Sequence, residues 1–421
     1  MQFNVIGKEL PRHDVNRQVM GKLKFSADMD SSDMLYAKAL RSEYAHAEIV
    51  SIDTSRAEEL NGVKAVITGK DIPHNAFGFT HKEQPVIAED RVRYPGDPVA
   101  VVAAETEEIA EEALGLIEVE YEELPVITDP YEAMEEDAFP IHGGGNVASH
   151  LKIRKGDVEA GFKDADYIFE DTIKTPMVEH AHIEPHAATA VVDEDDRLKV
   201  VASVQRPFLC AADISKTLKL PMSRIRVIAP AIGGGFGGKN EITIEPIVSL
   251  LALKTGRPVR MEYTREEEFI ASTVRHPYII EYKTGVNRDG KMIARQAKII
   301  SNSGAYVSWG ESTLTKALIH CCGPYQIPNL RVDCYLVYTN TSVGGAMRGF
   351  GVTQVGFGYE NHTDAIARAL DIDPVKFREN NIYEENCKNA TGQTLHNVTL
   401  SKVLKKAAEM AEWGEADEGG G

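Results

Sequence analysis

Short apolar runs alternate with helix-spaced apolar residues in the first part of the chain. Residues 34–37 and 63–67 are apolar runs bounded by polar turns, a pattern typical of strands. Residues 103–115 carry apolar positions at helical spacing, and residues 116–121 again resemble a strand. This alternation of strands and helices predicts a small α/β domain at the start of the chain.

The pattern changes twice further along. Residues 131–156 contain three consecutive glycines at 143–145 and predict a connector. Strand and helix patterns then mix as far as residue 399, and residues 400–413 again show helical spacing before a polar tail that we expect to be flexible. The expected fold class is mixed α/β (α+β). The predicted organisation is a first domain at 1–130, a connector at 131–156, a second domain at 157–399, and a C-terminal helix and tail at 400–421.

A glycine-rich stretch at residues 233–239, Gly-Gly-Gly-Phe-Gly-Gly-Lys, stands between a predicted strand at 225–228 and a predicted helix at 242–254. Glycine lacks a Cβ and accepts positive φ, so the backbone here can lie directly against a bulky ligand. The helix N-terminus would aim free N–H groups at that ligand. Phe236 has no packing reason to stand in such a loop, which favours a ligand over a plain turn.

Two common glycine signatures fit this stretch poorly. A dinucleotide fingerprint needs an acidic residue on a second strand about 20 residues later, where this sequence predicts a helix. A phosphate loop needs Ser or Thr after the lysine, but Lys239 is followed by Asn240. A nucleotide-binding module is therefore disfavoured.

Composition narrows the function classes. The chain holds 64 acidic and 46 basic residues, a formal charge of −18, which argues against nucleic-acid or anionic-membrane partners. An anionic substrate would need a locally basic region. No apolar run approaches the roughly 18 residues of a membrane span, and no secretory signal is evident, so we expect a cytoplasmic protein. Five cysteines without a C-x-x-C pair argue against disulfides, a zinc ribbon or iron–sulfur ligands on this chain.

A second glycine motif, Gly-Ala-Met-Arg-Gly-Phe-Gly at residues 345–351, completes a recognisable pair. Together the two motifs resemble the molybdenum-binding subunit of the xanthine dehydrogenase family of molybdenum hydroxylases. The resemblance implies an α/β hammerhead domain at 1–130 and a first molybdopterin-binding domain at 157–399. Family members with the whole molybdenum domain on one chain continue into a second cofactor-binding domain that supplies the catalytic glutamate. We therefore expect the N-terminal half of a split subunit, with the catalytic base on a partner chain.

The resemblance also implies residue roles. Gly235, Phe236 and Gly237 would lie against the cofactor, and molybdenum would be held through the pterin with no direct protein ligand. Gln205 would bind the cofactor and act in catalysis by hydrogen-bonding a terminal oxygen ligand of the metal, a task suited to a neutral amide. Arg348 would contact the cofactor and orient the substrate through its planar, permanently charged fork.

Three further residues would contact the substrate. Phe350 matches an aromatic residue that packs on the substrate ring. Asn240 and Lys316 replace a glutamate and an arginine of the xanthine-oxidising pattern. Amide and ammonium groups suit a purine or a pyridine carboxylate better than a simple aldehyde.

The implied function is hydroxylation of an N-heteroaromatic substrate such as xanthine or a nicotinate-like compound. The implied cofactor is molybdopterin with molybdenum, in the cytosine dinucleotide form. The partners would be a second molybdopterin-binding subunit, an iron–sulfur subunit and an FAD subunit. The alternatives are an aldehyde or acyl-CoA oxidoreductase of the same family, and a non-catalytic scaffold with the same fold.

The segment Glu-His-Ala-His-Ile-Glu-Pro-His at residues 179–186 also resembles a metal site. On a strand, alternation would put His180, His182 and Glu184 on one face. The family has a similar Glu-Pro stretch near its pocket without a metal. We therefore expect packing or hydrogen bonding from this segment rather than metal ligation.

Overall fold

The computed structural model describes residues 3–414, in which strands and helices alternate. The strands are β1 (Leu35–Arg41), β2 (Ala47–Asp53), β3 (Val63–Thr68), β4 (Arg91–Val92), β5 (Pro98–Ala104), β6 (Glu118–Glu123), β7 (Val147–Lys155), β8 (Tyr167–Thr175), β9 (Ala187–Val192), β10 (Leu198–Ala202), β11 (Ile225–Ile228), β12 (Val259–Glu262), β13 (Val274–Arg275), β14 (Tyr278–Val286), β15 (Met292–Gly304), β16 (Asn329–Tyr338) and β17 (Gly344–Gly345). The helices are α1 (Val15–Val19), α2 (Ser55–Glu58), α3 (Glu107–Leu114), α4 (Pro130–Ala133), α5 (Val158–Asp164), α6 (Pro207–Thr217), α7 (Glu245–Thr255), α8 (Arg265–Ala271), α9 (Gly310–His320), α10 (Val352–Ala369), α11 (Pro374–Asn381) and α12 (Leu400–Met410). Among the described residues, no helix is both long and apolar enough to span a membrane.

The largest sheet has seven strands in the order β11-β10-β9-β12-β1-β5-β3. Its centre joins two distant parts of the sequence, because β1 runs parallel to β12, with Leu35 opposite Val259. The apolar runs that predicted strands supply its core, and α7 covers it with Val248 and Leu251, both fully buried. The sheet is therefore continuous between the first and second predicted domains, whose boundaries stay a prediction.

A second sheet has five strands in the order β7-β16-β15-β14-β8. Helices α9 and α10 pack against it, and α11 packs on α10, over a core that includes Tyr282, Leu336 and Phe377. The second glycine motif begins at a pair of short parallel strands, in which β13 pairs with β17 and Val274 lies opposite Gly344. The motif at 345–351 thus starts from a fixed backbone position.

The mixed α/β fold class is confirmed, with local differences. The predicted strand at 225–228 is β11, but the predicted helix at 242–254 begins three residues later, at Glu245. The predicted helix at 103–115 included two residues that instead end strand β5, which runs to Ala104. Because β5 is buried on both faces, it lacks the alternation of apolar and polar residues by which a strand is usually predicted.

Two other predicted segments differ in part from the structure. The predicted connector at 131–156 contains the nine-residue strand β7, whose alternating polar residues fit a half-exposed edge. The C-terminal pattern forms α12, and residues 415–421 of the predicted tail lie outside the described residues.

Truncation of Leu35 tests the junction between the two parts of the large sheet. Leu35 is fully buried, so Leu35→Ala should lower the free energy of unfolding by about 2–5 kcal/mol through lost burial and the cavity left behind. Denaturant unfolding measures the change. Val50→Ala on β2 is the control, because Val50 is 56% exposed, and it should cost less than about 1 kcal/mol. Equal effects of the two substitutions would contradict the central role of the junction.

Candidate functional site

Two glycine-rich loops meet and line one open cavity of about 340 Å³. The first loop follows β11, and the second lies between β17 and α10. The backbone N–H of Arg348 donates to the carbonyl of Phe236 at 2.8 Å, which joins the loops directly. The sequence-predicted residues that line the cavity are Gln205, Phe236, Gly237, Asn240, Arg348 and Phe350.

Strand order explains why Gln205 reaches the first loop. Strands β10 and β11 are parallel neighbours, so their carboxyl ends lie at the same edge of the sheet. Gln205 follows β10 closely, and the glycine loop follows β11. Ligands of α/β proteins commonly bind outside the carboxyl ends of such strands.

The close approach of the two loops requires glycine at position 237. Gly237 has φ +112°, and a Cβ there would lie 2.2 Å from the carbonyl oxygen of Ala346. Phe236 also has positive φ, at 50°, and its side chain is 48% exposed. A non-glycine residue with positive φ is uncommon and strained, so contacts elsewhere must hold this turn in place.

The side chain of Gln205 provides one such contact. Its Oε1 accepts hydrogen bonds from the backbone N–H groups of Gly237 at 2.9 Å and Lys239 at 3.3 Å. The backbone N–H of Gln205 donates in turn to the carbonyl of Lys239 at 2.8 Å. Gly235 makes room for the side-chain amide, because a Cβ at 235 would lie 2.6 Å from Oε1. Two N–H donors require the amide oxygen to face the loop, which leaves the NH2 group to donate elsewhere.

Arg348 and Phe350 form the part of the cavity wall that the second loop supplies. Arg348 is exposed, and within residues 3–414 its guanidinium makes no ion pair. Phe350 has φ 51°, and its ring meets the ring of Trp309 edge-on at 6.1 Å. The wall therefore offers a free, permanent cation beside an aromatic face.

A buried ion pair supports the first loop from beneath. Lys239 is fully buried, and its Nζ donates to Oε2 of Glu184 at 2.9 Å and to the carbonyl of Glu184 at 2.8 Å. The same Oε2 accepts the backbone N–H of Gly233 at 2.7 Å. Glu184 thus fixes both ends of the loop. Burial lowers the pKa of Lys239, and the Glu184 carboxylate opposes that shift.

The histidine-rich segment is irregular rather than a strand, so the side-chain alternation that a strand would impose does not apply. Instead, the segment turns at Ala181, which has φ 49°. His180 donates from Nε2 to the carbonyl of Ala346 at 2.8 Å, directly where that carbonyl abuts the glycine loop. The segment therefore braces the contact between the two loops.

A second set of contacts lies deeper. His186 Nδ1 pairs with the buried Glu268 at 2.8 Å, and the backbone N–H of His186 also donates to that carboxylate. Burial alone would lower the pKa of His186, but Glu268 raises it. Burial lowers the pKa of His182 to about 4, which keeps that ring neutral. The side-chain atoms of His182, His186 and Glu268 that could ligate a metal lie within 4.8 Å of one another. The ion pair between His186 and Glu268 already accounts for the burial of the Glu268 carboxylate.

Some expected features differ in the structure. Lys316 is exposed on α9 and is absent from the described lining of the cavity, because the neighbouring Ala317 and Leu318 turn the buried face of α9 to the core. The expected N–H groups of the helix terminus also lie elsewhere, since α7 begins seven residues after Gly238. The loop N–H groups of Gly237 and Lys239 are instead used by Gln205.

The residues that support the loops carry little signal in the sequence. Glu184 stands out only as part of a metal-like segment, and Trp309 gives no signal because its partners are distant in sequence. Met347 and Gly349 also line the cavity, and their place inside the second glycine motif is the signal that could have found them.

Two family models match the chain. The molybdopterin cofactor-binding domain matches residues 141–382, and the aldehyde oxidase and xanthine dehydrogenase a/b hammerhead domain matches residues 20–125. The first match covers more than half of the 421 residues.

Individual relatives give the same result. The nicotinate dehydrogenase large molybdopterin subunit of Eubacterium barkeri is 42% identical over 97% of this chain and 97% of its own length. The xanthine dehydrogenase molybdenum-binding subunit of Escherichia coli is 37% identical over 96% of this chain and 55% of its own length. The solved aldehyde oxidoreductase of Desulfovibrio gigas superposes with a TM-score of 0.92 at 29% identity, over 96% of this chain and 46% of its own. The chain thus spans nearly all of the first relative and about half of the other two. It belongs to the xanthine dehydrogenase family of molybdopterin-binding proteins.

Proposed function

We propose that this chain binds a molybdopterin dinucleotide in the cavity between its two glycine loops and serves as part of a hydroxylase for N-heteroaromatic compounds. The observation that carries the proposal is the convergence of Gln205, Phe236, Gly237 and Arg348 on one open cavity. Together they offer an amide donor, a cation, an aromatic ring and a side-chain-free backbone position. Such a set suits a large, rigid, anionic cofactor.

The residues present fit that cofactor. Gly237 leaves the backbone bare at the cavity wall, and Gly235 gives the Gln205 amide its place. Arg348 supplies a free guanidinium for anionic oxygens. When bound, molybdopterin carries the molybdenum and supplies the two-electron redox chemistry of the family. The chain would hold the cofactor through Gly235, Phe236, Gly237, Gln205 and Arg348.

The protein groups divide the remaining work. The NH2 group of Gln205 would donate a hydrogen bond to the cofactor without adding negative charge. The exposed ring of Phe236 would exclude water from the cavity, and Arg348 would orient substrate oxygens. Neither the described cavity lining nor the motifs provide a candidate general base, which supports a base on a partner chain.

An N-heteroaromatic substrate is supported by Asn240 and Phe350, which line the cavity as an amide and an aromatic face. The amide NH2 group can donate to ring nitrogens and carbonyl oxygens, and the amide oxygen can accept from ring N–H groups. The relatives named for nicotinate and xanthine point the same way. Lys316 has no part in this proposal, since its ammonium is exposed outside the lining.

The structural similarity to an aldehyde oxidoreductase favours a second candidate, oxidation of aldehydes. Asn240 distinguishes the two, because an aldehyde pocket gains nothing from an amide that can pair with ring nitrogens. Turnover of the assembled enzyme with nicotinate, xanthine and benzaldehyde separates the candidates. Preference for benzaldehyde would favour the second.

Partner chains complete the proposal. Two large apolar side chains next to site residues in the sequence are strongly exposed: Ile183, which precedes Glu184, is 91% exposed, and Phe208, which follows Gln205 closely, is 87% exposed. Apolar groups of this size around an open site mark a protein interface. We expect a second molybdopterin-binding subunit there, with iron–sulfur and FAD subunits carrying electrons onward.

The cofactor is expected in its cytosine dinucleotide form.

Gly237→Ala tests cofactor binding directly. The added Cβ would collide with the Ala346 carbonyl and force the two loops apart. Molybdenum and released cytosine nucleotide per chain, measured on the protein purified with its partners, should fall about tenfold or more. Gly143→Ala is the matched control, because a Cβ there meets no atom within 4 Å. Full cofactor loading of Gly237→Ala would contradict the proposed site.

Gln205→Glu separates the two roles of the amide, hydrogen-bond acceptance by its oxygen and donation by its NH2 group. Glutamate keeps an oxygen to accept from Gly237 and Lys239, but it replaces the donating NH2 group with negative charge. Molybdenum content should persist while turnover falls about 100-fold, as for other lost donors at a reacting centre. Gln205→Ala removes both functions and should reduce molybdenum content as well. Unchanged turnover in Gln205→Glu would exclude a donor role.

Arg348→Ala tests substrate orientation. Loss of the free guanidinium should lower kcat/KM for the true substrate about 100-fold, with a much smaller loss of molybdenum. Arg348→Lys should recover part of the activity, since charge remains while the bidentate geometry is lost. Arg56→Ala, at an exposed ion pair with Glu118, should leave both quantities unchanged. Wild-type turnover by Arg348→Ala would show that the assigned role is wrong.

A further inference from the structure

Residues 3–22, which we call the arm, are exposed along almost their whole length. None of their side chains is buried, and Asp14 alone is half-buried. The large apolar side chains of the arm are between 36% and 76% exposed: Phe3, Val5, Ile6, Leu10, Val15, Val19 and Met20. Single exposed apolar residues are ordinary on a protein surface, but so many within one short segment are typical of an interface.

The arm makes its hydrogen bonds within itself. Its helix α1 has five residues and buries none of them. The N–H of Lys22 donates to the carbonyl of Arg17 at 2.8 Å, and the guanidinium of Arg12 pairs with Asp14. Within residues 3–414, no hydrogen bond or ion pair joins the arm to the rest of the chain. The arm therefore contributes little to the folding of this chain.

The root of the arm lies at the candidate site. The carbonyl of Lys24 accepts the N–H of Ala231 at 3.3 Å, shortly before the first glycine loop. The N–H of Ser26 donates to Oε1 of Glu184 at 3.4 Å, and the other oxygen of that carboxylate accepts from Lys239. The residue that fixes the first loop thus also holds the root of the arm. A partner that closes the cavity would therefore lie within reach of the arm.

Exposed apolar surface continues from this root. Ile183, directly before Glu184, is 91% exposed, and its carbonyl accepts from the guanidinium of Arg265 at 3.0 Å. Phe269 is 52% exposed and follows Arg265 by one turn of α8, so the two share a helix face. The arm, Ile183 and Phe269 therefore form one apolar surface beside the first loop.

The arm is basic in an acidic chain. It carries four basic and two acidic side chains, whereas the whole chain has a formal charge of −18. Lys8, Arg17 and Lys22 form no ion pair among the described residues. Charges that are free on an exposed segment favour a binding surface of the opposite sign. The arm thus suits a groove that is apolar at its floor and acidic at its rim.

From these observations we infer that the arm is a docking element that holds the second molybdopterin-binding chain, in an apolar groove with an acidic rim. The inference rests on the proposed function and adds to it the segment that binds the partner. The root at Glu184 favours this occupant, because it places the arm beside the cavity that the partner closes. This chain spans 55% of the Escherichia coli relative, so the rest of that relative has no counterpart here. Separate chains need noncovalent contacts in place of a covalent link.

Apolar substitution in the arm tests the inference on the purified complex. Ile6→Glu with Val19→Glu should raise the dissociation constant of the second molybdopterin-binding chain about 100-fold, since two apolar anchors of an interface can contribute about tenfold each. Mass photometry of the diluted complex counts the particles that keep this chain. Ile6→Leu with Val19→Leu should bind as wild type. The circular dichroism of both variants should be unchanged, because the arm makes no hydrogen bond or ion pair with the rest of the described chain.

Val50→Glu with Val126→Glu is the matched control. Both side chains lie outside the arm and are similarly exposed, at 56% and 51%, so the double variant should keep the wild-type dissociation constant. A wild-type constant for Ile6→Glu with Val19→Glu overturns the inference. Loss of a second copy of this chain from the complex, with the second molybdopterin-binding chain retained, also overturns it.

Charge removal tests the acidic rim. Lys8→Gln with Arg17→Gln should raise the same dissociation constant about tenfold and flatten its dependence on salt. Lys70→Gln with Lys163→Gln, at exposed lysines outside the arm, should change neither quantity. Equal salt dependence in the two double variants would contradict an acidic groove.

The proposed function fails by a different result. A wild-type complex with neither molybdenum nor a second molybdopterin-binding chain refutes the proposed function, and the inference with it. A complex that contains both, and that the arm variants leave intact, refutes the inference alone.

Discussion

The candidate site depends on one buried ion pair, between Lys239 and Glu184. An ammonium group without solvent contact is stable only when nearby oxygens replace its water, and Glu184 supplies both a carboxylate and a carbonyl oxygen. Breaking such a pair typically costs about 3–5 kcal/mol, because the remaining charge stays buried. Since the same carboxylate accepts the N–H of Gly233, the ion pair also closes the ends of the glycine loop. The lysine that resembles a phosphate-binding residue in the sequence is therefore structural.

That support explains how strained backbone persists at the cavity. Phe236 and Phe350 both have positive φ, and hydrogen bonds hold the loop in which each of them stands. Gln205 binds the N–H groups of the first loop, and Arg348 N–H joins the second loop to it. The N–H groups of Gly237, Lys239 and Arg348 are thus paired within the chain. The side chains at the cavity add further chemistry for a ligand: an amide NH2 group, a guanidinium and aromatic surfaces.

Much of this architecture was predictable from local patterns, and the rest depended on distant contacts. The β11 strand followed from a short β-branched run, and the two glycine motifs identified the lining because glycine is required where backbones meet. The sequence did not show that α7 begins only at Glu245, since the apolar spacing extends into the preceding loop. Nor could it show that Lys316 faces solvent, because the rotation of α9 is set by packing against the second sheet.

The histidine-rich segment shows why residue type alone misleads. Three imidazoles and two carboxylates in eight positions resemble a metal site, yet the fold gives them separate tasks. His180 holds the Ala346 carbonyl, His186 pairs with Glu268, and Glu184 closes the glycine loop. Each task constrains backbone that borders the cavity. A cavity shaped by buried polar contacts keeps its geometry, while two apolar side chains that neighbour its supporting residues in the sequence, Phe208 and Ile183, stay exposed. Such a division suits a site that one chain shapes and a second chain closes.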